Sequence, residues 1–453
     1  MIAGVVNSRA AEVRHSLRER FAVGAAVRLA ALACVTAAFS LAPIAAAEAA
    51  APKGQHDGSA YGTKGNVQVG PLAGQIGTTG FISMPCLGTN GETRSSDIVG
   101  ASIGANGAVL QAGVVVSTVQ TIETDKKTTD EVRSRVAGLN VFGGLISADS
   151  VVAVSRTIAT RSSLRSEAVG TTFVNLKIAG QSIPVDVAPN FSVALPGVGV
   201  VTLNRQQSSG DGASTSALAV DAMVIAVTTA NTFGLPVGAE LVIGHADSGF
   251  QRGLPDITYS GDAYVALVSA DVGNVVSAGS GAIALQPLAC SGTNGDTKTE
   301  KLAAVQLPGL GGTGEAISKA YGYDRVARTT AKVGRISLLG GVVVVKELKS
   351  VALTKLRGGR VIRSTEGSTV VGLRVLGLPV LGPITPNMVI NLPGIGTLAV
   401  NEQIVPGPDS DADTVVNALR ITITKKNLLG LPIGANIIVG HAAAGVQRTK
   451  SGV

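Results

Sequence analysis

Two histidines occupy the same position in a repeated tripeptide, which makes them the first candidates for chemistry. His245 lies in Gly244-His245-Ala246, and His441 lies in Gly440-His441-Ala442. A repeated histidine suggests a metal ligand or a proton carrier, because imidazole titrates near neutral pH. However, a single imidazole without a neighbouring cysteine or paired carboxylate rarely binds a metal. We therefore predict that each histidine lies in a turn and hydrogen bonds to the backbone.

Three carboxylates alternate with other residues late in the chain, as they do at the start of a calcium-binding loop. Asp409, Asp411 and Asp413 have the spacing that such a loop uses to direct oxygen atoms at one cation. The later positions do not fit, since Thr414 replaces the required glycine and Arg420 replaces the required glutamate. A solvated acidic turn is the favoured interpretation and a calcium site is the alternative. No other cofactor is expected.

One serine has the sequence context of a hydrolase nucleophile. Ser102 lies in Gly100-Ala101-Ser102-Ile103-Gly104, which matches the turn that presents a serine between a strand and a helix. No helical pattern follows this motif, and a catalytic triad would also need a base. After the amino-terminal segment, the histidines that could serve as that base are His56, His245 and His441. We predict that the protein is not an enzyme.

The candidates lie in a sequence that is repeated once. Leu195-Pro196-Gly197-Val198-Gly199 followed by Asn204 returns as Leu392-Pro393-Gly394-Ile395-Gly396 followed by Asn401, at a spacing of 197 (401 − 204). Other repeated blocks have spacings of 196 (441 − 245) and 204 (290 − 86), so the chain is a tandem duplication with short insertions. Asn204 and Asn401, each directly after a strand, are predicted to close a turn through their own backbone.

Two cysteines also occupy equivalent positions in the copies. Cys86 begins the block Cys-Leu-Gly-Thr-Asn-Gly, and Cys290 begins the block Cys-Ser-Gly-Thr-Asn-Gly. An internal disulfide requires the copies to pack with these two points within about 7 Å. A bridge between molecules and two free buried thiols are the alternatives, and we favour the free thiols.

The amino terminus has the pattern of an export signal. Five arginines precede the short apolar stretch 29–41, and Ala45-Ala46-Ala47 provides a small-residue cleavage site, with Ala49 and Ala51 as alternatives. We predict a signal peptide at residues 1–47 and a disordered tail at 48–58. The first copy is predicted at 59–252, a linker at 253–262, the second copy at 263–448 and a short tail at 449–453.

Composition limits the classes of function. With 453 residues the chain is long enough for two cores, which must be aliphatic because aromatic residues make up 3% and tryptophan is absent. Without the signal peptide, which contains five Arg and two Glu, the net charge is (37 − 5) − (30 − 2) = +4. A charge this small is a solubility feature, and few rings are present on which bases could stack. We expect no nucleic-acid partner.

Apolar and polar residues alternate with a period of two, which is typical of half-buried strands. Examples are the segment Leu419-Arg420-Ile421-Thr422-Ile423-Thr424 and residues 174–178. Residues 114–122 and 132–141 are predicted to form a long hairpin, and a short helix is considered only at 314–321. We predict an all-β protein with two tandem, homologous β-sandwich-like domains, and a β-helix is the rival architecture.

Several short blocks recur in the same order in both copies. They include Gly170-Thr171-Thr172-Phe173-Val174-Asn175-Leu176, Ala188-Pro189-Asn190, the two Leu-Pro-Gly blocks and Val439-Gly440-His441-Ala442. Together they resemble the choice-of-anchor P proteins of Gram-positive, chiefly actinobacterial, bacteria, and the resemblance covers nearly all of both copies. It implies an exported envelope protein, in a family whose members are fastened by differing carboxyl-terminal devices. Residues 448–453 carry no sortase motif, apolar tail or basic stop, so no covalent anchor is evident.

The expected function is that of a secreted, non-enzymatic structural or adhesive protein of the cell surface or cell wall. Its expected partners are cell-envelope components or further copies of itself. Repetition suits this role, because two linked weak modules bind with higher avidity than one. An envelope glycan-binding module is the alternative, and a serine hydrolase that uses Ser102 is a further one.

Overall fold

Nearly all of the regular structure in the part of the chain that the structure describes is β-strand. The computed structural model describes residues 51–66, 77–103, 107–272, 275–279, 281–307, 310–407, 410–427 and 431–449. The predicted signal peptide and Asp409 lie outside these residues. Glu48–Val453 form one compact unit, in which Phe142–Gly144 and Leu339–Gly341 are single turns of 3-10 helix. The prediction of an all-β fold is confirmed.

The strands of the first copy begin before the predicted start of that copy. They are β1 (Gly54–Asn66), β2 (Ile82–Ser83), β3 (Thr93–Ile103), β4 (Leu110–Thr124), β5 (Lys127–Val141), β6 (Ile146–Thr160), β7 (Leu164–Glu167), β8 (Thr172–Val174), β9 (Lys177–Ile178), β10 (Gln181–Ser182), β11 (Phe191–Leu195), β12 (Gly199–Gly210), β13 (Thr215–Val227) and β14 (Glu240–Arg252). The long hairpin predicted from the alternation is present as β4 and β5.

The strands of the second copy follow the same plan. They are β15 (Ile257–Val272), β16 (Val275–Gly279), β17 (Gln286–Pro287), β18 (Lys298–Leu302), β19 (Val305–Leu307), β20 (Gly311–Thr313), β21 (Ala316–Tyr323), β22 (Val326–Leu338), β23 (Val343–Arg357), β24 (Arg360–Ser364), β25 (Thr369–Val371), β26 (Arg374–Val375), β27 (Leu378–Pro379), β28 (Met388–Leu392), β29 (Gly396–Ile404), β30 (Thr414–Ile423) and β31 (Asn436–Arg448).

Each copy is a sandwich of two facing sheets. In the first copy, β11-β12-β13-β14-β1-β2 form one sheet, so the last strand of the copy pairs with its first strand. Strands β10-β9-β6-β5-β4-β3 form the facing layer, and β13, β14 and β1 pack against β4, β5 and β6. In the second copy, β28-β29-β30-β31-β15 face the ten-stranded sheet, whose main path is β18-β21-β22-β23-β26-β27.

Each sandwich has its own aliphatic core. The first core contains Val136 and Ile243 and draws all its residues from positions 60–246. The second contains Val333 and Val439 and draws all its residues from positions 265–439. Burying each such side chain stabilises the fold by roughly 1.5–3 kcal/mol. Many buried aliphatic side chains therefore provide the stability that large aromatic rings would otherwise contribute.

A strand pairing joins the two sandwiches into a continuous sheet. Strand β3 of the first copy pairs in parallel with β16 of the second through Ile98 and Val276. The facing layer of the first copy and the β15 sheet of the second copy thereby become one fifteen-stranded sheet. The copies share backbone hydrogen bonding as well as chain connectivity.

Four local predictions are corrected by long-range pairing. Residues 54–58 of the predicted disordered tail belong to β1, because they pair with β14, and residues 257–262 of the predicted linker belong to β15, because they pair with β31. The helix that was considered at 314–321 is instead mostly strand β21. Alternate residues of β21 are buried, and the strand pairs with β22. The predicted strand at 174–178 is broken at Asn175, whose φ of 52° is left-handed.

Candidate functional site

Equivalent residues of the two copies meet each other at the boundary between them. Thr78 and Ala282 are 204 positions apart (282 − 78), the same spacing as the two cysteines. The amide of Thr78 donates to the carbonyl of Ala282 at 2.8 Å, and the amide of Ala282 donates to the carbonyl of Thr78 at 3.0 Å. A residue contacts its own equivalent only across a twofold axis, so the copies pack like the subunits of a symmetric dimer.

The two cysteines are related by the same pseudo-twofold axis, and they are bonded to each other. Cys86 and Cys290 form a disulfide with Cα atoms 5.5 Å apart. The carbonyl of Cys86 accepts from the amide of His56, and the carbonyl of Cys290 accepts from the amide of Tyr259. Our preference for free thiols was wrong, because sequence alone did not show that the copies pack with these points together.

A cleft of about 390 Å³ lies between the copies beside the disulfide. Polar side chains from both copies line it, among them Asp57, Ser59, Arg94, Asp247, Ser260, Asp262 and Asp413. Burial in the cleft raises the pKa of Asp262 to about 7. Burial also raises the pKa of Asp413, although a hydrogen bond from Ser260 opposes the shift. The Asp262 carboxyl group in this cleft can therefore take up a proton close to neutral pH.

In the first copy, four side chains form a row across neighbouring strands. Arg205, Asp221, His245 and Tyr61 lie directly opposite one another on β12, β13, β14 and β1. His245 Nδ1 lies 2.6 Å from an Asp221 oxygen, and its Nε2 lies 3.0 Å from an Asp247 oxygen. The Tyr61 ring stacks on the imidazole with ring centroids 4.4 Å apart. Asp221 also accepts a hydrogen bond from Arg205 at 2.8 Å.

This row favours a charged histidine. Burial alone would lower the pKa of His245, but the hydrogen bonds with Asp221 and Asp247 outweigh it and raise the pKa to about 9. The same contacts keep Asp221 ionised, since His245 and Arg205 hold the pKa of that carboxyl below its usual range despite its burial. The row is an extended ion network on one sheet.

In the second copy, the equivalent row has different chemistry. Glu402, Asn417, His441 and Tyr264 occupy the four matching positions, and the Tyr264 ring stacks on His441 at 4.3 Å. Here His441 Nδ1 lies 2.6 Å from the amide oxygen of Asn417, and the carboxylate of Asp262 is 3.9 Å from Nε2. Burial, reinforced by the nearby Arg420 charge, lowers the pKa of His441 to about 4.

The histidines therefore lie within strands, and the prediction that they lie in turns and bond to the backbone was wrong. Apart from Asp247, which lies on the same strand as His245, their partners come from other strands, so the tripeptide gave no signal of them. The glycine of each tripeptide has a clear role. Gly244 and Gly440 have φ values of 69° and 73°, and a Cβ on Gly440 would lie 2.4 Å from Leu348.

The two asparagines have left-handed backbones, but they do not close turns on their own backbone. Asn204 and Asn401 have φ values of 50° and 52° and lie within β12 and β29. The side-chain amide of Asn204 donates to the carbonyl of Val187, and its side-chain oxygen accepts from Gln206. The Asn204 side chain thereby ties the loop before β11 to β12. In both copies a backbone bond makes the same link, from the amide of Asn190 to the carbonyl of Asn204 and from the amide of Asn387 to the carbonyl of Asn401.

A third histidine, His56, was not predicted as a site from the sequence. It is buried in the first copy, and the second copy has no histidine at the equivalent position. His56 Nδ1 lies 2.7 Å from Asp130, and Thr121 donates a hydrogen bond to the same carboxylate. The residues at the equivalent positions of the second copy are Tyr259 and Ala327, both buried. A histidine–aspartate pair in one sandwich thus corresponds to a tyrosine and an alanine in the other.

The predicted nucleophile lies on the surface, and the two described calcium candidates are divided between the surface and the cleft. Ser102 is exposed on β3 opposite Gln111, and the described histidines contact Asp130, Asp221, Asp247, Asn417 and Asp262 instead. Asp411 is exposed, and Asp413 accepts a hydrogen bond from Ser260. Among the described residues, no group of three or more His, Cys, Asp or Glu is arranged to hold a metal ion.

Comparisons with known proteins give no assignment. Within the ranges that the structure describes, no helical segment has both the length and the hydropathy needed to span a membrane. No family model, curated protein or solved structure matches the chain.

Proposed function

We propose that the protein is a secreted, non-enzymatic structural or adhesive component of the cell envelope, in which two β-sandwiches act as one rigid body. The single observation that carries this proposal is the Cys86–Cys290 disulfide on the pseudo-twofold axis. Structural disulfides persist in oxidising compartments and are rare in the cytosol. A covalent tie at this point fits a protein that works outside the cell and must keep its two modules in a fixed orientation.

Three further features support the structural role. The boundary between the copies includes the paired backbone of Thr78 and Ala282 and the parallel pairing of β3 with β16, so several contacts resist relative motion. Fixed modules present two binding faces at a constant separation, which raises avidity without any new contact. The export signal and the resemblance to choice-of-anchor P proteins point to the same location.

Fractionation of a culture tests this proposal. Medium, cell-wall, membrane and cytosol fractions would be probed for the protein on reducing and non-reducing gels. We expect the protein in the medium or the wall, with Cys86 and Cys290 oxidised. A reduced protein confined to the cytosol would contradict the proposal. Ester hydrolysis by the purified protein that disappears in Ser102→Ala would support the hydrolase alternative instead.

A further inference from the structure

The two copies differ strongly in charge, although their folds match. Residues 54–252 contain 12 Lys and Arg against 14 Asp and Glu, a net charge of −2. Residues 257–448 contain 18 Lys and Arg against 12 Asp and Glu, a net charge of +6. The modest positive charge of the whole protein therefore resides in the second copy.

Four of these cations gather on the outer face of the ten-stranded sheet. Lys319 of β21, Arg328 and Lys332 of β22, and Lys349 of β23 line a shallow cleft of about 380 Å³. Lys332 and Lys349 lie directly opposite each other, which costs stability because like charges repel. Lys332 pairs with Glu347 at 3.0 Å, and in the described chain no ion pair neutralises the other three cations. We call these four residues the cationic face.

The fold does not require these charges, because the first copy lacks most of them. Strand register matches Lys319, Arg328, Lys332 and Lys349 with Thr118, Glu131, Arg135 and Val152. In the first copy Glu131 is paired with Arg156 at 2.6 Å, and Arg156 also contacts Glu167. An arginine therefore neutralises Glu131 on that surface, whereas three residues of the cationic face have no ion pair in the described chain.

We propose that the cationic face binds an acidic polysaccharide. Spaced ammonium and guanidinium groups on a sheet surface suit a polymer with repeating carboxylates or phosphates. The same cleft contains the hydroxyl groups of Thr297 and Thr330, which can bond to sugar hydroxyls, and the ring of Tyr321, which offers an apolar surface to a sugar. A nucleic acid fits less well, since one ring gives little base stacking. This inference deepens the proposed function and rests on it, because the polysaccharide would hold the protein at the envelope.

Binding of the full chain to alginate, a carboxylated polysaccharide, tests the proposal. The test variant is Lys319→Thr with Lys349→Val, which installs the residues of the first copy. The matched control is Lys425→Thr with Lys426→Ala, which also installs first-copy residues, at exposed positions of a loop outside the cationic face. Both variants lose two positive charges. We expect about tenfold weaker alginate binding for the test variant and little change for the control, with salt weakening the binding of wild type.

Neutral dextran and duplex DNA complete the experiment. Wild type should not bind dextran, and it should bind DNA more weakly than alginate at equal salt. Equal losses in the two variants would overturn the proposal by showing a response to net charge alone. Tighter binding to DNA would overturn it in favour of a nucleic acid, and absence of alginate binding would overturn it outright. None of these results bears on where the protein is located, which the culture fractions test separately.

Discussion

The two histidine rows show the same backbone carrying opposite chemistry. In the first copy His245 lies between two carboxylates, whereas in the second His441 faces an amide at 2.6 Å and a carboxylate at 3.9 Å. The tyrosine stacking and the strand register are the same in both rows. The stacked tyrosine–histidine pair is therefore common to both copies, whereas the charge of the histidine differs between them.

The buried pair of the first copy teaches the same lesson. His56 and Asp130 are replaced by Tyr259 and Ala327 in the second copy, which still forms its sandwich. A polar pair inside a core gives little net stability when intact, but removal of one partner leaves an unsatisfied group. The copies are thus natural variants of each other, and exchanging their residues separates structural from functional roles.

The largest effect is expected from cutting the covalent tie between the copies. The variant Cys86→Ser with Cys290→Ser opens a loop across a sequence separation of 204 residues. Chain-entropy arguments give a loss of about 5 kcal/mol in the free energy of unfolding. Because the cores are separate, we also expect one calorimetric transition to become two. Wild type under reducing conditions should behave like the variant, and an unchanged melting temperature would show that the tie contributes nothing.

The next largest effect is expected at the buried pair. Asp130→Ala leaves His56 without its partner and should lower the free energy of unfolding by about 4 kcal/mol. The double variant His56→Tyr with Asp130→Ala installs the residues of the second copy and should recover most of this loss. Denaturant unfolding followed by far-UV circular dichroism measures both variants. A double variant as unstable as the single one would mean that the copies are not interchangeable here.

The two rows should respond to pH in opposite directions. The pKa of His245 is raised from 6.5 to about 9, so its contribution, about 3 kcal/mol, is fully present below pH 6.5 and is lost as the pH rises through 9. The pKa of His441 is lowered from 6.5 to about 4, so its contribution is present above pH 6.5 and is lost as the pH falls through 4. Unfolding measured from pH 4 to 9 in wild type, His245→Gln and His441→Gln checks this, and parallel profiles would contradict it.

The smallest effect is expected from giving the second row the carboxylate of the first. Asn417→Asp places a charge where the amide oxygen now lies 2.6 Å from His441. We expect the pKa of His441 to rise towards that of His245. The new carboxylate also faces Glu402, which now accepts a hydrogen bond from Asn417 at 2.6 Å, so we expect no gain in stability at neutral pH. The reciprocal Asp221→Asn should lower the pKa of His245. NMR titration of the imidazole protons measures both pKa values. Unchanged pKa values in both variants would show that the residue opposite each histidine does not set its charge.

Local patterns predicted the strands well because the period of two is a local property. Residues 114–122 and 132–141 gave the β4 and β5 hairpin, and the repeated blocks gave the duplication. The failures were long-range. Residues 314–321 became strand because β18 and β22 pair with β21 on both sides, and tertiary pairing overrides weak local helix propensity.

The site was less predictable than the fold for the same reason. Two of the three partners of His245 come from β13 and β1 and lie 24 and 184 positions earlier in sequence (245 − 221 and 245 − 61). The disulfide depends on a boundary between copies that no local pattern describes. The duplication was the sequence signal that bears on the disulfide, because two equivalent residues that lie on a twofold axis must contact each other.

The most direct test of the account is an NMR titration of the two repeated imidazoles in the intact, oxidised protein. His245 and His441 would be assigned from the single His→Gln variants. We predict a pKa of about 9 for His245 and about 4 for His441. Two values close to 6.5, or the reverse order, would contradict the claim that one shared architecture carries a charged histidine in the first copy and a neutral histidine in the second.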